Sequence, residues 1–289
     1  MRMRSNKTLV ILLISVLLAL PAQAVTVLDN TASYTGQVTN GNETVIPVST
    51  YADTNFSNGF SAVGSSFTTG TSDLSLNSVT LLFDPESLIK TTDPSLVVSI
   101  VADTTATSYY ENSTGTVTHT GPLSHPNTNV NIVTNAIQGG TVLTASPSNN
   151  FTTHPNPTLA GTPFTWVATG GLTLTASTTY WIVLTSTNAN GYYSVDADTT
   201  LNKPLATFTT AGGWSVPTGT TSSTVDFAEF TTLGGTYGTN SVAVPAKSWL
   251  SLGNDPLFFS IDASVPEPSK ALLTFLGMLS LGMRRTRRR

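Results

Sequence analysis

The chain has 289 residues, and only 10% of them are charged, against about 25% in an ordinary soluble domain. Ser and Thr together supply 84 residues, and there is no cysteine. The lack of cysteine excludes disulfide scaffolds, thiolate zinc sites, iron–sulfur clusters and cysteine nucleophiles. The composition argues against a cytosolic enzyme, and stability has to come from burial of a core.

The charges are segregated along the chain. Between Val25 and Ser264 only three residues are basic and fifteen are acidic, which gives a net charge of −12. Because neutralisation of phosphates by Lys and Arg supplies most nucleic-acid affinity, we expect no nucleic-acid partner for this acidic body.

Residues 1–24 predict a secretory signal peptide. A basic start is followed by the apolar run Leu9–Leu20, and the small residues Ala22 and Ala24 form a cleavage site. The run of 12 residues is shorter than the roughly 20 that span a bilayer, which disfavours an uncleaved anchor. We therefore expect an exported protein.

Residues 25–264 show apolar side chains with a period of two, and no helical segment of ten residues stands out. Pairs such as Gly212-Gly213 and Asn190-Gly191 punctuate the pattern with turn signals. The body is predicted to be all-β, a single β-sandwich or jelly-roll domain. The alternation runs through Asn77–Phe83, Leu96–Ala102, Phe164–Ala168, Leu172–Leu174, Tyr180–Leu184, Tyr193–Val195 and Leu257–Ile261.

The stretch from Thr104 to Pro157 lacks this regularity. We expect long loops there around one or two strands, the best candidate leading from Asn131–Val133 to Ile137. All three histidines lie in this stretch without metal-ligand spacing, so they are interpreted as solvated loop residues; they are His119, His125 and His154.

Catalytic motifs are absent from the sequence. There is no Gly-x-Ser-x-Gly and no His-Glu-x-x-His. A glycosidase needs only two carboxylates at a suitable separation, which a sequence does not reveal. Asp196 and Asp198 are weak candidates for a Ca²⁺ site, because alternate carboxylates in a loop can share a hard cation. The favoured interpretation is a solvated turn, with no metal and no cofactor.

The four tryptophans have two interpretations. They pack in the core, which we favour, or they stack on sugar rings in a groove. Trp181 alternates away from Tyr180 and Ile182, so it is the aromatic that a sugar site would use. The full set is Trp166, Trp181, Trp214 and Trp249.

Residues 265–289 form a tail in three parts. Pro266 and Pro268 give a stiff, extended segment that a processing enzyme can grip, and the apolar run Ala271–Met283 follows. This run would be about 20 Å long as a helix, so it spans a core of about 30 Å only with snorkelling or local thinning. The terminal basic cluster stays cytoplasmic, which places the body outside. That cluster contains Arg284, Arg285, Arg287, Arg288 and Arg289.

This tail, with Pro266-Glu267-Pro268-Ser269 at its start, closely resembles the PEP-CTERM sorting signal of Gram-negative bacteria. The resemblance implies processing by a membrane protease of the exosortase type, transient contact with the inner membrane, and exopolysaccharide as a candidate partner. The body is similar to the choice-of-anchor R type of bacterial surface domain, which implies no catalytic residues. That likeness rests on Leu76–Phe83, Leu96–Asp103 and Leu172–Leu184.

The sequence thus predicts three parts, namely a signal peptide, a β ectodomain and a sorting segment with a short hydrophobic helix. The expected function is that of a non-catalytic protein of the cell envelope, cell surface or extracellular matrix. The alternative is an exported carbohydrate-binding, lectin-like or glycoside-processing protein that uses Trp181 and a carboxylate pair.

Overall fold

A computed structural model describes part of the chain, and its residues form strands, mostly in antiparallel pairs, without an α-helix. The predicted signal peptide up to Gln23 and the tail from Val265 onward lie outside the described residues. The described ranges are 24–31, 43–49, 60–83, 96–111, 116–127, 129–130, 137–138, 141–145, 162–169, 172–186, 192–198, 209–216, 227–231, 235–237, 239–245, 248–252 and 257–264.

The strands are numbered in chain order. The first ten are β1 (Val25–Asp29), β2 (Glu43–Ser49), β3 (Phe60–Thr68), β4 (Leu74–Phe83), β5 (Leu96–Glu111), β6 (Val117–Pro126), β7 (Asn129–Val130), β8 (Ile137–Gln138), β9 (Thr141–Ala145) and β10 (Thr162–Val167). The others are β11 (Thr173–Leu174), β12 (Thr179–Ser186), β13 (Tyr192–Asp198), β14 (Thr209–Thr210), β15 (Phe227–Thr231), β16 (Gly235–Tyr237), β17 (Val242–Val244), β18 (Ser248–Leu252) and β19 (Phe259–Ser264).

Most of these strands belong to one hydrogen-bonded system with two parts. The front sheet runs β14, β1, β19, β4, β10, with β11 and β13 also paired to β4, and β2 to β13. The curled sheet runs β12, β3, β15, β18, β5 and bends into a half-barrel, because β12 also pairs with β5. Strand β6 pairs with the second half of β5. Strand β9 joins the two sheets, because it pairs with β5 and with β10. Separate two-stranded sheets are formed by β7 with β8 and by β16 with β17.

The main core lies between the front sheet and the curled sheet, and it explains the period-two pattern of the sequence. Where the side chains of a predicted strand are described, most of its apolar set faces this core, as Val79 and Leu81 do, whereas Ala102 is exposed. The front sheet contributes Leu76, Val79, Leu81, Phe164, Trp166, Phe259 and Ile261, and the curled sheet contributes Val63, Phe67, Val98, Ile100, Ile182 and Leu184.

A second core fills the inside of the curl, so β3 and β12 are buried on both faces. Every residue from Ala62 to Phe67 and from Trp181 to Thr185 is buried. Uncharged small side chains such as Ser65 and Ser66 occupy positions where a buried charge would be costly. The members of this second core are Ala62, Val101, Tyr110, Leu123, Trp181, Val183, Ala228, Phe230 and Trp249.

The prediction of long loops from Thr104 onward is wrong for its first half. Strand β5 continues to Glu111 and pairs with β6 over most of its length. The apolar residues of this hairpin, such as Val117 and Leu123, are not spaced at every second position, so the sequence shows no regular apolar alternation there. Pro122 is tolerated within β6 because it lies at the register shift opposite Ala106 to Ser108, in a strand that pairs only with β5 among the described strands.

Three loops meet at the end of the molecule where β3 ends and β4 begins. The predicted glycine turn is confirmed, since Gly212 and Gly213 have φ of 63° and 81°. A Cβ on Gly70 would lie 1.9 Å from the carbonyl oxygen of Gly212, so only glycine fits there. Thr69 ties this segment to the third loop by donating its hydroxyl to the Thr175 carbonyl at 2.6 Å.

A buried amide joins the two ends of the body. Asn30 follows β1 and is fully buried. Its side chain accepts a hydrogen bond from the Phe259 amide at 2.7 Å and donates one to the Leu257 carbonyl at 3.0 Å. The exposed Asn240 makes the same two-bond arrangement with the backbone of Val117. The two amides differ mainly in their access to water.

We predict that Asn30→Ala lowers the free energy of unfolding by about 3 kcal/mol, because it leaves two buried backbone groups unpaired. Asn240→Ala is the matched control and should cost less, since its two bonds to Val117 are only part-buried. Denaturant unfolding of both variants measures this. Equal losses would show that burial does not set the cost.

Candidate functional site

The predicted sorting elements lie almost entirely outside the described residues. This holds for the motif Pro266–Ser269, for the arginines from Arg284 to Arg289 and for the cleavage residue Ala22. Ala24 is described, and it is exposed directly before β1. The chemistry that the structure does assemble is therefore found in the body.

The candidate site is a hydrogen-bonded group on the curled sheet. The indole N–H of Trp181 donates to Oδ1 of Asp103 at 2.8 Å. The Ser124 hydroxyl donates to the same oxygen. Trp181 is fully buried, whereas Asp103 and Ser124 are half-buried. The carboxylate thus lies at the boundary between the second core and its surroundings.

Four strands position this group. Ala102 of β5 pairs with Tyr180 of β12. Asp103 and Trp181 are the residues that follow these two in their strands, and the register brings them within hydrogen-bonding distance. On its other part β5 pairs with β6, which supplies Ser124. Ser251 of β18 is buried and donates its hydroxyl to the Ser124 carbonyl at 3.4 Å. These residues therefore come together because the sheet curls and brings the four strands next to one another.

All four tryptophans are buried, which confirms the prediction of core packing for each. The exposed fractions are 1% for Trp166, 0% for Trp181, 2% for Trp214 and 5% for Trp249. The idea that Trp181 is exposed for sugar stacking is wrong. Its side chain does face away from the main core, but that face of the curled sheet is covered by the second core.

The histidine and aspartate predictions also need correction. His119 and His125 lie on β6 rather than in loops, and His125 is half-buried with Nδ1 3.0 Å from the Pro126 carbonyl oxygen. His154 lies outside the described residues. Asp196 and Asp198 lie within β13, because the alternation of Tyr193 and Val195 continues to the end of the strand. Among the described residues, no group of three or more metal-ligating side chains occurs.

The outer face of the front sheet carries an ordered set of hydroxyl groups. Asp262 accepts hydrogen bonds from Thr26 at 2.7 Å and from Ser78 at 3.0 Å, each from a neighbouring strand. One row further along the sheet, the hydroxyls of Thr80 and Thr165 are 2.8 Å apart. These contacts give the face a polar surface in which a single carboxylate is shared by two hydroxyls.

The arrangement limits the chemistry of the candidate site. Hydrolysis of a glycosidic bond uses two carboxyl groups that flank the bond. Among the residues whose side chains the structure describes, Asp103 is the only carboxylate on the curled sheet. Its Oδ1 is occupied by Trp181 and Ser124. This geometry fits a structural role in which the carboxylate satisfies a buried indole.

Comparisons with protein-family models, with curated proteins and with solved structures found no match for this chain. Within the described ranges, no helix has the length and hydrophobicity needed to cross a membrane.

We predict that Asp103→Ala destabilises the protein by about 1–3 kcal/mol, because the buried indole N–H of Trp181 loses its acceptor. Trp181→Phe removes the donor, so the double variant should lose less than the sum of the two single losses. Denaturant melts of the three variants give the coupling. Additive losses would mean that the bond between Trp181 and Asp103 contributes nothing. Thr118→Ala, at an exposed position of β6, is the control.

A chelator tests the weak metal candidates. Because a cation bound only to the native state would raise stability, the thermal midpoint should stay unchanged in EDTA if Asp196 and Asp198 hold none. A drop of many degrees, abolished by Asp196→Asn together with Asp198→Asn, would assign a structural Ca²⁺ site to the end of β13.

Proposed function

We propose that this chain is an exported, non-catalytic protein of the cell envelope or extracellular matrix, sorted through its C-terminal tail. The observation that carries the proposal is the order of the three parts, Pro266-Glu267-Pro268, the apolar run and the arginine cluster. A processing protease of the exosortase type acts at the first part. The apolar run holds the chain in the inner membrane until that step, and the arginines keep the end cytoplasmic.

The body supports this proposal through its surface and its construction. We propose that it is one sandwich or jelly-roll domain made of the front and curled sheets. Its net charge of −12 with three basic residues opposes binding to anionic polymers. The hydroxyls of Thr26, Ser78, Thr80 and Thr165 give the front sheet a polar face suited to hydration and to contact with neutral exopolysaccharide.

We predict that replacing Pro266, Glu267 and Pro268 by Ala leaves an unprocessed species in the inner membrane, because the stiff segment that the protease recognises is lost. Cell fractionation with an antibody to the body measures the mass and the compartment. Thr105, Thr118 and Asn127, all exposed, replaced together by Ala, form the control. Unchanged mass and location of the tail variant would remove the basis of the sorting proposal.

A glycan screen tests the matrix role against the carbohydrate-active alternative. The purified protein is tested on a glycan array and on the host's own exopolysaccharide, and released reducing sugar is measured in parallel. Binding without release is the expected result for a matrix protein. Release of sugar would replace the non-catalytic proposal by a glycosidase.

A further inference from the structure

We propose that one end of the body rests on the outer surface of the inner membrane while the tail is in place. This exit end is defined by Val25, Val167, Ser264 and the loop Thr71–Asp73. The inference rests on the proposed function, since it takes the tail as the membrane segment. It adds the orientation of the body and the surface that contacts the lipid headgroups.

The first support is that both predicted membrane segments connect to the body at one place. Val25, the first residue after the predicted signal cleavage site, is paired with Ala263. Ser264 ends β19, and the tail begins with the next residue. Neighbouring strands lie about 4.8 Å apart. Both predicted membrane segments therefore leave the body from adjacent strands. After signal cleavage, the tail that follows β19 is the remaining attachment.

The second support is the short length of the connection. Six residues separate Ser264 from Ala271, where the apolar run begins. Even fully extended, this segment reaches at most about 25 Å. A compact body of about 240 residues has a radius of gyration near 18 Å and a diameter of about 45 Å. The opposite end of the body therefore cannot reach the bilayer, whereas the exit end has to lie within about 25 Å of it.

The third support is the placement of exposed apolar side chains. Among the described residues, the large hydrophobic side chains that are exposed are Val25, at 54%, and Val167, at 39%. Val167 pairs with Ser78, which pairs with Asp262, which in turn pairs with Thr26. Val25 is next to Thr26 in β1. Val25 thus begins β1 and Val167 ends β10, in adjacent rows of the front sheet on the side of the exit end.

The loops at the exit end are held rigidly and are weakly charged. Thr71, Ser72 and Asp73 are exposed, and the Asp73 carboxylate accepts the Ala176 amide at 2.7 Å. No Lys or Arg is present in the described ranges. Among the described residues, the two valines are therefore the groups that favour contact with lipid headgroups, in addition to the tether. High ionic strength should not weaken this contact, since it screens the repulsion between the acidic body and anionic lipid.

Single cysteines provide the test, because the chain has none of its own. Val167→Cys reports on the exit end. Pro163→Cys is its matched control, since it lies on the same strand and face, is also exposed, and is about 13 Å away. Thr71→Cys reports on the loop side of the exit end. Residues 25–289 carrying a thiol-linked fluorophore are reconstituted into vesicles of three parts phosphatidylethanolamine and one part phosphatidylglycerol, with nitroxide headgroup lipid as quencher.

We expect the labels at Val167 and Thr71 to be quenched at least twofold more than the label at Pro163, both in low salt and in 0.5 M salt. Equal quenching at the three positions, or stronger quenching at Pro163, would overturn the orientation. Loss of the difference in high salt would overturn the apolar contact.

Flotation with the same vesicles separates this inference from the proposed function. The chain should float, and Leu276→Arg, which places a charge in the middle of the apolar run, should stop both flotation and quenching. Failure of the unaltered chain to float would contradict both the proposed membrane tether and the proposed orientation. Flotation with the wrong quenching pattern would remove the orientation alone.

Discussion

The burial of β3 and β12 on both faces is the constraint on which the rest of the structure depends. A strand in this position has no side that faces water, so each of its side chains has to be apolar, or small and uncharged. Gly64 shows how little space is left, because a Cβ there would lie 3.3 Å from the ring of Trp181 and 3.4 Å from the Ile182 carbonyl oxygen. The low charge of the whole chain follows partly from this demand.

Side-chain hydroxyl and amide groups connect neighbouring segments by hydrogen bonds in this protein, a role that ion pairs have in more highly charged proteins. Thr69 satisfies the backbone of the 175–178 turn, and Thr80 pairs with Thr165 across two strands. Asn30 completes the backbone pairing where β1 has ended. A hydroxyl loses little hydration when it is buried with a partner, whereas a carboxylate loses much more. The abundance of Ser and Thr is therefore a property of the interior as well as of the surface.

The sequence was sufficient to predict several of the strands that face the main core, because one apolar set on one face gives a clear alternation. It did not reveal β1 or β3, although both contribute to that core. It was not sufficient to predict the second core. The alternation of the sequence predicts that Trp181 faces solvent. In the structure the curl of the sheet places other residues over it, and this curl depends on pairings between strands that are distant in the sequence. The hairpin of β5 and β6 was missed because its apolar residues do not alternate regularly in the sequence. The group around Asp103 depends on that hairpin, so no local pattern could have revealed it.

The pairing of β1 with β19 has a consequence for the order of events as the chain is made. Thr26 and Asp262, which share a hydrogen bond, are 236 residues apart in the sequence. A chain synthesised from its amino end completes its first strand long before the partner strand exists. During that interval β1 and the apolar residue Leu28 lack their main partner. Closing so long a loop is entropically costly and slow. The front sheet is therefore finished only after the last strand has emerged, and protection from proteases and from aggregation is needed until then.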